Sequence, residues 1–216
     1  MLLSGLDRFN RRHPWSHNDH YGRWVAARVV ASGARDVLDI GCGTGNLAAL
    51  LRDRGLTVTA LESDAATAGI AARRFAGDPA VRVIQAGFAD RAPSRRWDAV
   101  TLVAVLHHLP LVSTLRDVRD CLAPGGRLVV VGCFRAAGFV DAVAALPALV
   151  ANPVLGLIRH PAPADTPPAH MSAPVADPRE TLAEIRAAVA AELPGARIRR
   201  RLFWRYTLVY DAPAGE

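Results

Sequence analysis

The chain has 216 residues, a formal net charge of +6, and a composition that is 51% hydrophobic and 6% aromatic; this length and apolar share fit one α/β domain with a sizeable core and exclude a disordered chain. Its three cysteines, Cys42, Cys121 and Cys133, are odd in number and without metal spacing, which predicts a reduced, cytoplasmic protein and excludes a disulfide scaffold. Lysine is absent and arginine is mixed with Asp and Glu along most of the chain, so the basic balance reads as a solvated surface rather than a nucleic-acid footprint.

Met1-Leu2-Leu3 is followed at once by Asp7, Arg8, Arg11 and Arg12, which does not match a secretory leader. The run His13 to Trp24 is crowded with aromatic and polar groups, and a helix is predicted from about Asp19 to Val30, ending near Gly33. His13, His17 and His20 have no carboxylate or cysteine at ligand spacing, so no metal is expected there. They read as a packed or capping cluster, or as part of a lid.

Val37 to Ile40 is a short apolar strand. Gly41, Gly43 and Gly45 alternate after it, and Leu47, Leu50 and Leu51 mark a helix from about Asn46 to Arg54, stopped by Gly55. Strand, glycine turn and helix together place a ligand over a helix N-terminus and let the backbone approach it closely. A dinucleotide fingerprint, G-x-G-x-x-G, needs glycine at position 46. The chain has Asn46 there.

Thr57 to Leu61 forms a second strand ending in Glu62, on the order of 20 residues past the glycine turn, where a carboxylate can accept from both hydroxyls of a ribose. Ser63 or Asp64 caps a helix from about Ala65 to Phe75. Val81 to Gln85 is the third strand. Asp98 and the apolar run through Val103 make the fourth, with Leu106-His107-His108-Leu109 at its exit facing the glycine turn. A helix over Leu115 to Leu122, a turn over Ala123 to Arg127 and a fifth strand over Leu128 to Val131 follow.

The stretch 137–158 is strongly apolar, but Asp141, Pro147, Asn152 and Pro153 argue against a membrane span. It reads as an insertion packed over the pocket mouth. Pro161 to Pro178 reads as a loop. Asp177-Pro178 is expected to start the last helix, which runs to about Leu193. Strands from Ala196 to about Phe203 and from Tyr206 to Tyr210 close the chain. Arg197 to Arg201 alternates outward as a solvated strand face.

Asp39-Ile40-Gly41-Cys42-Gly43-Thr44-Gly45, Glu62, Leu106-His107-His108-Leu109 and Leu122-Ala123-Pro124-Gly125-Gly126 stand in one order along the chain. Together they resemble the motifs of the class I S-adenosylmethionine (SAM) dependent methyltransferases. Within that family the chain is similar to small actinobacterial members with an H-P-W-x-H-N element, here His13 to Asn18. The resemblance implies a doubly wound, Rossmann-like α/β domain with a seven-stranded sheet, mostly parallel with a C-terminal antiparallel hairpin. It divides 1–216 into an N-terminal lid helix (1–34), a SAM-binding core (35–133), an insertion or substrate lid (134–178), and a C-terminal helix and hairpin (179–216).

The resemblance also implies that the glycine turn underlies the amino-acid portion of SAM. The cofactor-binding residues it points to are Asp39, Gly41, Cys42, Gly43, Gly45, Asn46, Glu62, Ser63, Gly87, Phe88 and Val103. The family's adenine-binding Asp after the third strand is replaced here by Gly87, so backbone groups of Gly87 and Phe88, or the Asp90 carboxylate, take its place. Phe88 packs either on the adenine ring or in the core. His17, Asn18, His20 and Tyr21 are candidates to face the cofactor from the lid helix. His107, rather than His108, is expected near the chemistry, with His20 and Tyr21 as further catalytic candidates.

The function implied is methyl transfer from SAM, yielding S-adenosylhomocysteine, to an O or N atom of a small, partly apolar molecule, in secondary metabolism. No metal, nucleic acid or membrane span is expected, and the chain is read as a monomer or homodimer. Two alternatives stand beside this: an RNA- or protein-modifying methyltransferase, which needs a basic groove or an N-P-P-Y-like motif that the sequence lacks, and a SAM-fold protein that transfers no methyl group.

Overall fold

In a computed structural model, residues 17–92, 94–137, 153–154, 156–158 and 176–215 are described. The histidine- and tryptophan-bearing run 13–16, most of the apolar insertion 137–158 and most of the proline-rich loop 161–178 lie outside the described residues.

Helix α1 (His17–Val30) leads into β1 (Asp36–Ile40), α2 (Asn46–Arg52), β2 (Thr57–Glu62), α3 (Ala65–Arg74) and β3 (Val81–Gln85). Then come β4 (Trp97–Val103), α4 (Leu111–Cys121), β5 (Leu122–Cys133), α5 (Leu182–Glu192), β6 (Arg197–Arg201) and β7 (Arg205–Asp211). The strands form one seven-stranded sheet in the order β3-β2-β1-β4-β5-β7-β6. The first five pair in parallel, and β7 runs antiparallel to both β5 and β6. The chain winds outward from β1 to β3, then returns to lay β4 against the other side of β1. That reversal opens a crevice at the C-terminal ends of β1 and β4.

The period-2 alternation of the strands builds a core on each face. Leu38, Ile40, Val100, Leu102, Leu128 and Val130 point to the face covered by Leu115 and Val118 of α4 and by Ile185 and Val189 of α5. Val37, Val58, Ala60, Ala99, Val129 and Val131 point to the other, under Val25 and Val29 of α1 and Leu47 and Leu51 of α2. Fully burying one such side chain contributes roughly 1.5–3 kcal/mol. Asp39 and Thr101 fall on the second face by the same alternation, side by side in the β1–β4 register.

Several boundaries differ from those read in the sequence. Helix α4 starts at Leu111 rather than Leu115, because Pro110 sits at the N-cap with φ −63° and its carbonyl accepts from Thr114 N–H. Strand β5 begins at Leu122, and the Pro124-Gly125-Gly126 turn is an irregularity within it: Leu122 faces Trp97, and the next partner pair is already Arg127 with Ala99. Helix α5 begins at Leu182, not at Asp177-Pro178. A capping box of Thr181 and Glu184 satisfies its first turn. Strand β6 ends at Arg201, and residues 202–204 form the turn into β7.

Candidate active site

A cavity of about 1010 Å³ lies at the C-terminal ends of β1, β2 and β4. The glycine turn forms its floor. All three glycines have left-handed backbones, with φ of 66° at Gly41, 56° at Gly43 and 83° at Gly45, where only glycine is unstrained. Their surroundings differ. A Cβ on Gly41 would collide with Val105, and one on Gly45 with the ring of Phe75. A Cβ on Gly43 would meet nothing within 4 Å and would project into open space. Gly41 and Gly43 line the cavity, whereas Gly45 lies beneath it, against Phe75.

Glu62 ends β2 beside this turn. Its Oε2 accepts from Gly43 N–H at 2.9 Å and its Oε1 from Asp64 N–H at 3.0 Å. An ionised carboxylate has about four lone-pair sites. Each oxygen therefore keeps one acceptor position for a ligand. Asp64 caps α3 by accepting from Thr67 N–H, which leaves Ser63 exposed at the rim.

Asp39 is 2% exposed and lines the cavity. Its Oδ1 accepts from Thr101 Oγ1 at 2.7 Å, while Oδ2 is buried with no partner among the described residues. Burial pushes its pKa up to about 7; the Glu62 charge adds to this and the Thr101 bond opposes it. The Cys42 thiol beside it is also pushed up, chiefly by burial, and is an unreactive lining group. Asn46 opens α2 and lines the cavity, with its Oδ1 held by Arg74 Nη1 at 2.7 Å.

The opposite wall comes from the exit of β4. Val103, Ala104 and Val105 line it, with Ala104 at φ 57°. His107 and His108 follow in a short 3₁₀ turn, their ring centroids 4.2 Å apart. Burial, and then the charges of His108 and Arg205, depress the His107 pKa to about 4, against a hydrogen bond to the backbone of Ala176. Its Nδ1 is buried and has no hydrogen-bond partner among the described residues. His107 is thus neutral at pH 7, with an acceptor nitrogen in reserve. His108 is the exposed one of the pair.

Other candidates fall elsewhere. Helix α1 presents Asn18 and Gly22 to the cavity. Tyr21, one step away, shares its helical phase with Val25 and Val29 and packs in the core, its phenol pushed up by burial. His20 is exposed, edge-on to Tyr21 at 5.0 Å. Neither His20 nor Tyr21 lines the cavity. Gly87 and Phe88 are also outside its lining: Gly87 N–H donates to Asp90 Oδ2, and Phe88 is 6% exposed in the core with the Arg91 guanidinium 4.3 Å over its ring. The core placement of Phe88 is therefore the one observed.

The sequence reading missed a group of lining residues: Phe134 and Arg135 after β5, Asp177 and Pro178 before α5, and Phe203, Trp204 and Arg205 at the β6–β7 hairpin. Ala136 and Ala176, on either side of a stretch that lies mostly outside the described residues, both line the cavity. Among the described residues no group of three His, Cys, Asp or Glu side chains is placed to hold a metal ion, and no helix is long and apolar enough to cross a membrane.

Comparison with known proteins adds to this geometry. Residues 11–149 match the family described as a methyltransferase domain. An uncharacterized methyltransferase of Mycobacterium tuberculosis is 37% identical over 205 residues, spanning 93% of this chain and 98% of that protein. Among solved structures, a plantazolicin methyltransferase in complex with a desmethyl-plantazolicin analog and S-adenosylhomocysteine superposes with a TM-score of 0.64 at 10% identity, covering 97% of this chain and 89% of its own. The magnesium protoporphyrin IX methyltransferase of Synechocystis, with bound SAM, superposes with a TM-score of 0.59 at 17% identity, covering 97% and 91%. At these identities the two structures bear on the fold alone.

Proposed function

The chain belongs to the class I SAM-dependent methyltransferases, and from that premise we propose that the cavity holds SAM against Asp39, the glycine turn and Glu62 and methylates an O or N atom of a small, partly apolar molecule. The observation that carries this is the buried Oδ2 of Asp39 in the cavity wall, which has no partner among the described residues. A buried carboxylate oxygen without a partner is costly, and the α-ammonium group of SAM supplies the missing donor and charge. The open space over Gly43 is the cradle that a Cβ would fill, and the free lone pairs of Glu62 suit a ribose diol.

The bound cofactor supplies an electrophilic methyl group on a sulfonium sulfur. The chain's own residues hold and align the partners, and alignment of this kind contributes about 7–11 kcal/mol. His107, neutral and with a ring nitrogen that has no partner among the described residues, accepts a hydrogen bond from the acceptor hydroxyl or amine. With its pKa near 4 it is a weak base at pH 7, so its assistance falls at the lower end of the roughly 10²–10⁴-fold range of general bases. The two ends of the insertion at the cavity wall support the reading of 134–178 as a substrate lid. The Phe134 and Phe203 rings make the acceptor side partly apolar.

Calorimetry with SAM after chelator treatment, followed by a screen of small phenols and amines for S-adenosylhomocysteine release, tests the reading. Stoichiometric SAM binding that survives chelation, and release that depends on an acceptor, are the expected results. Absence of SAM binding by the folded chain would overturn it.

A further inference from the structure

The two ends of the cavity carry opposite charge. Asp39 and Glu62 lie at the β1–β2 end, and Arg205 lies at the β7 end. The Arg205 guanidinium reaches only neutral acceptors among the described residues: Phe203 O at 3.3 Å from Nη1 and Asn18 Oδ1 at 3.5 Å from Nη2. Its Nε is buried with no partner, and it takes part in no ion pair among those residues. The charge is felt locally: burial raises the pKa of Tyr21 and Cys133 and the Arg205 charge opposes it, whereas at His107 it adds to burial and His108 in lowering the pKa. Arg135 lines the same region, as does the exposed carboxylate-bearing Asp177.

The hairpin preceding Arg205 is unusual in its chemistry. Phe203 and Trp204 have φ of 61° and 53°, a left-handed backbone that glycine and asparagine ordinarily occupy. Two aromatic residues here are strained, and strain of this kind persists where the surrounding structure fixes it, characteristically at ligand clamps. Both residues line the cavity. Phe203 is 3% exposed and Trp204 is 41% exposed, so one ring backs the wall and the other is free at the mouth. Phe134 N–H donates to Trp204 O at 3.3 Å, tying the turn to the end of β5.

Resting on the methyl-transfer reading above, we propose that the methyl acceptor is a planar aromatic carboxylate, its ring stacked on Trp204 over the wall that Phe203 backs and its carboxylate paired with Arg205. Aromatic rings prefer such offset or edge contacts. A planar guanidinium matches a carboxylate in a two-bond fork, and Nη1 and Nη2 of Arg205 each keep a second N–H beyond their bonds to Phe203 and Asn18. The acceptor hydroxyl or amine elsewhere on the ring then lies on the His107 side, between the two charged ends.

The test measures binding directly, apart from turnover. Hydroxybenzoates and aminobenzoates are titrated against phenol and aniline analogues lacking the carboxylate, by calorimetry and tryptophan fluorescence, with SAM affinity measured in parallel. The wild type is expected to bind the carboxylates at least tenfold more tightly. Arg205→Gln should abolish that preference, Arg205→Lys should restore part of it, and SAM affinity should stay within about twofold in both. Trp204→Gly should weaken the acid at least tenfold and remove its fluorescence signal, while raising the melting temperature by relieving the turn. Equal affinity for acids and their uncharged analogues in the wild type, or a preference unchanged in Arg205→Gln, would overturn the proposal. A wild type that binds the acids but not SAM would sink the methyl-transfer reading instead.

Discussion

Glu62 Oε2 accepts the backbone N–H of Gly43 at 2.9 Å, so the carboxylate that ends β2 holds the central glycine of the turn that ends β1. The two sequence signals lie 19 residues apart, and the parallel β1–β2 register, Ile40 beside Leu61, brings them together. One side chain therefore both shapes the turn and lines the cavity.

Glu62→Ala removes both. SAM affinity is expected to fall by roughly 1.5–3 kcal/mol, the scale of a hydrogen bond to a charged group. The melting temperature should also drop, because Gly43 N–H and Asp64 N–H lose their acceptor. Glu62→Gln keeps one amide oxygen for the turn and should recover more stability than affinity. Calorimetry and thermal melts on the three proteins check this. Unchanged SAM affinity in a folded Glu62→Ala protein would remove Glu62 from the ribose site.

The glycine turn separates conformational need from ligand need. Gly43→Ala and Gly45→Ala both place a side chain on a left-handed backbone, at a cost of about 1–2 kcal/mol. Gly45→Ala also drives its methyl into the Phe75 ring, which is buried and flanked by the guanidinium groups of Arg52 and Arg74. Gly43→Ala meets no protein atom within 4 Å. The expected outcome is a larger loss of melting temperature for Gly45→Ala, with the larger loss of SAM affinity relative to that stability change in Gly43→Ala. Equal ratios in both would mean the ligand does not approach Gly43.

What could be read in the sequence divides along the chain by range. The β1–turn–α2 unit is local, and its glycines, apolar strand and helix period all agree, so it was legible, as was Glu62 at the end of the next strand. The Asp39–Thr101 hydrogen bond spans 62 residues and depends on β4 returning beside β1; no local signal carries it. Helix α1 is legible as a helix, and its phase separates its two faces: Tyr21, Val25 and Val29 repeat every fourth residue and face the core, which turns Asn18 and Gly22 to the cavity. Thr181-x-x-Glu184 was a capping box in plain sight, overshadowed by Asp177-Pro178. The turn at Phe203-Trp204 has no glycine or asparagine to announce it, so nothing local in the sequence marks the β7 side of the cavity.

Asp39 ties the site to pH. Burial raises its pKa from an ordinary 3.8 to about 7. A carboxyl whose folded-state pKa is raised contributes stability that is fully present below about pH 4 and is lost as pH rises through 7. His107 runs the other way: its pKa falls from 6.5 to about 4, so its share of stability is lost as pH drops across that window. Asp39→Asn isolates the first effect. It keeps the Thr101 hydrogen bond through its amide oxygen, removes the buried charge, and is expected to melt higher than the wild type at pH 8, with the gap narrowing as pH falls and closing only near pH 4. Ligand binding has the opposite sign, because the ammonium group of SAM requires the ionised carboxylate. Wild-type SAM affinity should decline as pH falls below 7, approaching about tenfold per unit in the limit where Asp39 is mostly protonated. Asp39→Asn should bind weakly at every pH, without that decline. Calorimetric titrations at pH 5.5, 6.5, 7.5 and 8.5 decide it, and a wild-type affinity that stays constant over this range would show that Asp39 does not meet the cation.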